Sequence, residues 1–170
     1  ELPNWKDLLR PTSPTPIVVR GSKGSGKTHL LRYCSYQIQK ATHGNELRTA
    51  VKKNRYLGIY FRGRDINVGR FRDKGQSQSV WSDVYPYYLD LWLAEITIGA
   101  LIEFLADHEA GKAHERSICA DIVKCFVDFP DEQAESLTDM KNILAGLRRD
   151  IDREVNNSAL TRQLNIRILA

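Results

Sequence analysis

The sequence predicts an α/β fold: part of a parallel-sheet core in residues 16–78, carrying a substantial helical insertion or extension over residues 79–157. Three observations predict it. An apolar run at Ile17, Val18 and Val19 leads into a glycine-rich loop and then into a helical pattern. A second apolar and aromatic run, YLGIYFR at residues 56–62, follows the basic stretch Lys52, Lys53, Asn54 and Arg55. Beyond residue 78, apolar residues recur at spacings of three and four. Strand, loop, helix, strand is the opening of a parallel sheet with a right-handed crossover. A run that is apolar at every position suits a strand buried on both faces.

Residues 1–15 form an irregular lead-in, in which Trp5, Leu8 and Leu9 can pack as a helical turn or two. The Pro/Thr/Ser-rich residues 11–16 mark the start of the first strand. After the glycine-rich loop, Leu30, Cys34, Ile38 and Ala41 predict a helix, with a stop at His43, Gly44 and Asn45. The second strand is expected at residues 56–62 from its aromatic and aliphatic content. Residues 62–78 then read as a basic loop punctuated by Gly63, Gly69 and Gly75 and carrying Arg62, Arg64, Arg70 and Arg72.

Tyr88, Leu91, Trp92, Ile96, Gly99, Ile102 and Leu105 make one broad apolar face of a long helix. Pro86 either begins this helix or kinks a longer one that starts near Ser79. Ile118, Ile122, Cys125 and Phe126 predict another, shorter helix. Leu137, Met140, Leu144, Leu147 and Ile151 predict the last, with Pro130, Asp131, Glu132 and Glu135 at its head. Two heptads favour a bundle or hairpin helix over a coiled coil. Residues 158–170 are expected to lead back to the core.

The chemistry is concentrated in residues 21–28, GSKGSGKT, a full match to the phosphate-binding pattern G-x-x-x-x-G-K-[ST]. With an apolar run before it and a helical pattern after it, the loop assigns the core to the P-loop NTPases. Gly21, Gly24 and Gly26 allow backbone N–H groups to converge on phosphate oxygens, beside Ser22, Lys23 and Ser25. Lys27 brings an ammonium to the β- and γ-phosphates and is the candidate catalytic group. Thr28 is the candidate Mg²⁺ ligand through its hydroxyl. His29 closes the set of nucleotide-contacting residues at the start of the helix. Lys23 also suits a solvated loop position.

Composition bounds the rest. With 170 residues and 42% hydrophobic content, the chain has material for about one domain with a substantial core. Its formal charge of +4 is compatible with a phosphate ligand or a nucleic acid and requires neither. Cys34, Cys119 and Cys125 lack paired spacing, which argues against a disulfide framework and for a reducing, cytoplasmic setting. His108, His114 and these cysteines have no common zinc spacing. Residues 89–106 approach the length of a membrane span, but Asp90, Glu95 and Glu103 make a buried core helix the better reading. The start at Glu1 and the apolar end suggest a piece of something longer.

Hydrolysis needs more than the loop, because a water must be positioned and charge on the transferring phosphoryl group compensated. The nearest acidic candidate is Asp128, after Cys125, Phe126 and Val127, but Lys124 interrupts the run and the pattern there is helical. The carboxylate that completes such a site is expected beyond Ala170. Asp65 could face the nucleotide or pair with Arg62 or Arg64. The arginines of residues 62–72 admit phosphate or nucleic-acid contact, an arginine finger towards a neighbouring subunit, or a solvated loop. Phe61 and Phe71 allow base stacking in principle.

The run from Pro16 to residue 39, PIVVRGSKGSGKTHLLRYCSYQIQ, resembles the AAA+ and STAND-type ATPases, especially bacterial proteins related to origin-recognition-complex ATPases. Residues 56–61, the arginine-bearing loop and residues 81–105 are also similar to that group. The resemblance implies ATP with Mg²⁺ at residues 21–28, and a homo-oligomer or an effector protein as partner. It further implies ATP-driven change of conformation or assembly in a larger machine, with some bacterial relatives associated with phage defence. The alternatives are a nucleotide-gated scaffold without efficient hydrolysis, and a P-loop small-molecule kinase. No L-S-G-G-Q, D-x-x-G or N-K-x-D element is present, which disfavours a complete ABC ATPase domain and a guanine-nucleotide switch.

Overall fold

The computed structural model describes residues 9–106, 109–124 and 134–166. Trp5, Cys125 and Phe126, together with the acidic candidate Asp128 and the helix-head residues Pro130, Asp131 and Glu132, lie outside the described residues. The chain divides into two compact units, one up to Phe61 and one from Arg62 onwards.

Helices dominate both units. Among the described residues the full elements are α1 (Lys27–Tyr33), α2 (Tyr36–His43), α3 (Leu47–Asn54), α4 (Gln78–Leu105), α5 (Glu109–Val123) and α6 (Leu137–Thr161), with short 3₁₀ turns at Gly44–Glu46, Gly63–Ile66 and Val68–Arg70. Among the described residues there is no strand and no sheet, so the expected parallel-sheet core is corrected to a helical fold. A single parallel bridge, Ser35 to Gly58, is the β-type pairing seen among them.

The physical reason lies in what the two apolar runs meet. Ile17 and Val18 are exposed, Val18 by 77%, so the first run does not receive the two-sided burial that its composition suits. In the second run, only Gly58 joins the bridge, where its carbonyl accepts from Tyr36 N–H at 2.7 Å. Without a paired neighbour along its length, an extended segment leaves its backbone groups to solvent.

In the first unit the expected single helix is broken in two. Ser35 stops it: extended at φ −70° and ψ 147°, it accepts from Ile38 N–H through its hydroxyl and starts α2 afresh. Gln39 is buried and donates back to the Tyr33 carbonyl at 2.7 Å, satisfying the end of α1. The predicted stop holds, since Gly44 ends α2 at φ 50°. The third helix, α3, falls where sequence reading placed only a basic stretch.

The second unit is built on α4 and α6. Glu95 faces Arg148 and Gly99 faces Lys141, so the two helices run antiparallel. Between them lie Trp81, Val84, Tyr88, Leu91 and Ile98 from α4, with Met140, Leu144, Ile151 and Val155 from α6. Full burial of each such side chain contributes on the order of 1.5–3 kcal/mol. The helix starts near Ser79 as expected in the longer alternative, and Pro86 sits inside α4 on an exposed position. Ser136 and Asp139 form a capping box at the head of α6, and Glu115 from α5 accepts from Leu137 N–H at 2.8 Å. No helix among the described residues is long and apolar enough to cross a membrane.

Candidate functional site

The glycine-rich loop lies wholly within the first unit and is shaped by its glycines and its lysine. Gly24 and Gly26 take φ of 86° and 81°, left-handed values that glycine adopts without the Cβ penalty. Gly26 is the N-cap of α1, and its carbonyl accepts from Leu30 N–H at 2.9 Å. A turn closes the loop, with Ser25 N–H donating to the Ser22 carbonyl at 3.3 Å.

Lys27, the first residue of α1, folds back over this loop. Its ammonium donates to the carbonyls of Gly21 and Ser22, each at 2.6 Å, and to Ser25 Oγ at 3.2 Å. The cation is thus fixed over the loop by neutral acceptors, which a more highly charged oxygen ligand can replace. Thr28 is the second residue of α1, and Thr28 and His29 are both exposed. Gly21, Ser22, Lys23, Gly24, Ser25 and Gly26 are exposed as well, with Lys27 half-buried among its three acceptors.

Behind α1, Cys34 and Tyr56 pack together. Burial pushes the Cys34 thiol up, against a smaller opposing effect of the Tyr56 hydroxyl beside it. Burial first, and then the neighbouring Cys34 and Tyr33, push the Tyr56 phenol up to about 12. Both groups are therefore neutral at physiological pH and bring no negative charge near the loop helix.

The arginine-bearing loop belongs to the second unit, and its arginines part ways. Arg64 and Arg72 are exposed and sit 3.7 and 3.6 Å from their own neighbours Asp65 and Asp73. Asp65 thus takes the pairing role weighed for it with Arg64. Arg70 is largely buried, 2.6 Å from Asp152 of α6, with its guanidinium over the rings of Phe71 and Tyr88. Arg148 continues the chain, donating to Glu95 at 2.7 Å and standing 3.5 Å from Asp152. Burial opposes its charge, but the hydrogen bonds to Glu95 and Tyr88 outweigh that effect and hold its pKa above the ordinary range.

Lys74 donates to the Val155 carbonyl at 2.6 Å and Gln76 to the Arg162 carbonyl at 2.8 Å. The loop is therefore fastened at two places to α6 and at a third to its C-cap residue. Phe71 is a core residue in edge contact with Trp81 and Tyr85, which takes it out of consideration for base stacking, whereas Phe61 is 42% exposed. Sequence reasoning missed this fastening. The Arg148 to Asp152 spacing of four was visible, but nothing local pointed Arg70 at Asp152.

No group of three or more metal-ligating side chains occurs among the described residues. Carboxylates are scarce in the sequence around the loop: residues 9–61 hold ten lysines and arginines and one carboxylate, Glu46.

No curated protein and no solved structure matches the chain. A family model described as ORC-CDC6-like matches residues 3–170. That relation carries an AAA+ ATPase-related function. By this match, which spans nearly its whole length, the chain belongs to the ORC-CDC6-like family.

Proposed function

We propose that residues 21–28 hold the phosphates of Mg²⁺-ATP, and that binding there changes the conformation or assembly of a larger machine. The observation that carries this reading is the Lys27 ammonium, held over a glycine-shaped loop by two backbone carbonyls and one hydroxyl. Phosphate oxygens carry more charge than these acceptors and attract the ammonium more strongly. Loop N–H groups and Thr28 Oγ supply the remaining contacts, the latter to Mg²⁺. Membership of the ORC-CDC6-like family supports the same assignment.

A second reading is a nucleotide-gated scaffold with little turnover, in which residues 21–28 bind ATP without a completing carboxylate. Hydrolysis calls for an acidic group at the metal or the attacking water, and Glu46 is the one carboxylate between residues 9 and 61. Two measurements on the full chain separate these readings. Nucleotide titration with and without Mg²⁺ should show metal-dependent affinity that Thr28→Ala reduces about tenfold, the value of one charge-assisted contact of roughly 1.4 kcal/mol. Phosphate release under saturating ATP then decides turnover: sustained release supports the ATPase, and its absence alongside tight binding supports the scaffold. Affinity that is equal with and without Mg²⁺ and unaffected by Thr28→Ala would remove the metal from the proposal.

A further inference from the structure

The first unit carries a second cationic feature, built from residues that the nucleotide loop does not use. An open groove of about 530 Å³ is lined by Arg10, Pro11, Thr12, Ser13, Lys53, Asn54 and Tyr56. None of residues 21–28 lines it.

Both walls are fixed by hydrogen bonds. On one side, Ser13 N–H donates to the Arg10 carbonyl at 2.8 Å, and Ser13 Oγ accepts from Thr15 N–H at 3.2 Å, so residues 10–15 form a closed turn. Arg10 takes φ of 39° there, an uncommon value for a residue with a Cβ. On the other side, α3 ends at Arg55 in the left-handed conformation, whose N–H donates to the Val51 carbonyl at 2.7 Å.

The lining is chemically one-sided. Among the described residues it offers an exposed guanidinium, an exposed ammonium, two hydroxyls and an amide, and none of them is a carboxylate. Arg64 and Arg72 show the contrast, each sitting beside its own aspartate. No ion pair joins Arg10 or Lys53 to a carboxylate of the described residues, and Lys52 and Arg55 flank Lys53 and Asn54 in the sequence. The sequence from residue 62 onwards, by comparison, has fourteen lysines and arginines against eighteen carboxylates. The net charge of +4 thus conceals a basic first unit and an acidic remainder, and the groove lies in the basic part.

We propose that this groove is a phosphate-binding site separate from the nucleotide loop, with Arg10 and Lys53 as its charged contacts and Thr12 and Ser13 as hydroxyl donors. Phosphate is the fitting anion because tetrahedral oxygens can accept from a guanidinium fork, an ammonium and hydroxyls together. The phosphate has two sources, a phosphodiester of a nucleic-acid strand or a free phosphate compound, and two probes distinguish them.

The test uses the full chain, a fluorescent 20-nucleotide oligothymidylate and inorganic pyrophosphate, each titrated against parent, Arg10→Glu/Lys53→Glu, Arg10→Gln/Lys53→Gln and Lys27→Ala. The charge-reversed pair should lose at least tenfold affinity for one probe, and the neutral pair should lose less. If the oligonucleotide is that probe, the salt slope should fall by about 1.4 for two lost contacts to a single strand. Lys27→Ala should leave the oligonucleotide affinity within twofold; because pyrophosphate also fits residues 21–28, its titrations compare the groove variants in the Lys27→Ala background. Loss for the oligonucleotide assigns a strand, and loss for pyrophosphate alone assigns a free phosphate compound. The proposal is overturned if neither probe binds the parent, if both charge variants bind like the parent, or if Lys27→Ala removes oligonucleotide binding as fully as they do. It is also overturned if the charge-reversed pair loses ATP as severely as Lys27→Ala, because the groove would then belong to the nucleotide site. Failure of ATP to bind the parent would leave the groove's result standing on its own.

Discussion

Replacing Asp152 by alanine removes the carboxylate that two arginines share, and the consequence can be sized from the geometry. Arg70 Nη1 lies 2.6 Å from Asp152 Oδ1, with side chains 18% and 26% exposed. At an effective dielectric near 20, such charges attract by about 6 kcal/mol before the loss of hydration is counted. Desolvation returns most of that. Two details hold the net value down: the contact is a charge pair without hydrogen-bond alignment, and Arg148 keeps its 2.7 Å bond to Glu95. Arg70 is left with the ring faces of Phe71 and Tyr88, at 4.9 and 4.6 Å.

We therefore expect Asp152→Ala to cost about 2 kcal/mol, below the 3–5 kcal/mol of a fully buried pair. For a chain of this length that lowers the thermal midpoint by roughly 4–8 °C. Urea denaturation followed by circular dichroism is the assay, with a double-mutant cycle against Arg70→Met to isolate the pair. A cost under about 0.5 kcal/mol, or a coupling near zero, would refute the idea that this pair fastens the arginine-bearing loop to α6.

Gly58→Ala should be costly, because a Cβ there would run into the Cys34 carbonyl across the bridge. Overpacking, together with displacement of the Tyr36 N–H bond to Gly58 by the added methyl, predicts about 2–3 kcal/mol, and amide exchange at Tyr36 should accelerate; unchanged protection would count against the bridge. The Tyr56 phenol predicts an alkaline transition. Its pKa rises on folding from 10.0 to about 12, so its contribution is complete below pH 10 and is lost as pH climbs towards 12. Tyr56→Phe should remove one tyrosinate step from the ultraviolet absorbance titration, and a missing step near 10 instead of near 12 would contradict the buried phenol.

The helices of the second unit were legible in the sequence because they bury one face each. Leu137, Met140, Leu144 and Ile151 recur at helical spacing and line the core as that spacing predicts. The first unit was harder to read. Ile17, Val18 and Val19 have the composition of a buried strand, but strand formation depends on partners elsewhere in the chain, and a local window cannot report them. Ser35 is similar: a serine inside a helical pattern reads as tolerated until its hydroxyl is seen capping α2.

At the candidate site, residues 21–28 were readable as a string, since the spacing of glycines and lysine is itself the motif. The inward fold of Lys27 onto two carbonyls was not, because it depends on the path of the loop. Arg70 marks the same limit. Its value as a fastener comes from Asp152, a residue distant in sequence, and composition had placed it with Arg64 and Arg72 as one basic loop.

The most direct measurement is calorimetric titration of Mg²⁺-ATP into the parent chain and into Lys27→Ala. Loss of one charge-assisted contact of about 1.5–3 kcal/mol predicts affinity at least tenfold weaker in the variant. Removing the ammonium also frees the carbonyls of Gly21 and Ser22, so circular dichroism should confirm that α1 remains folded. Saturable binding to the parent that is weakened to this extent supports nucleotide binding at residues 21–28. Equal affinity in the two proteins, with both folded, would contradict it.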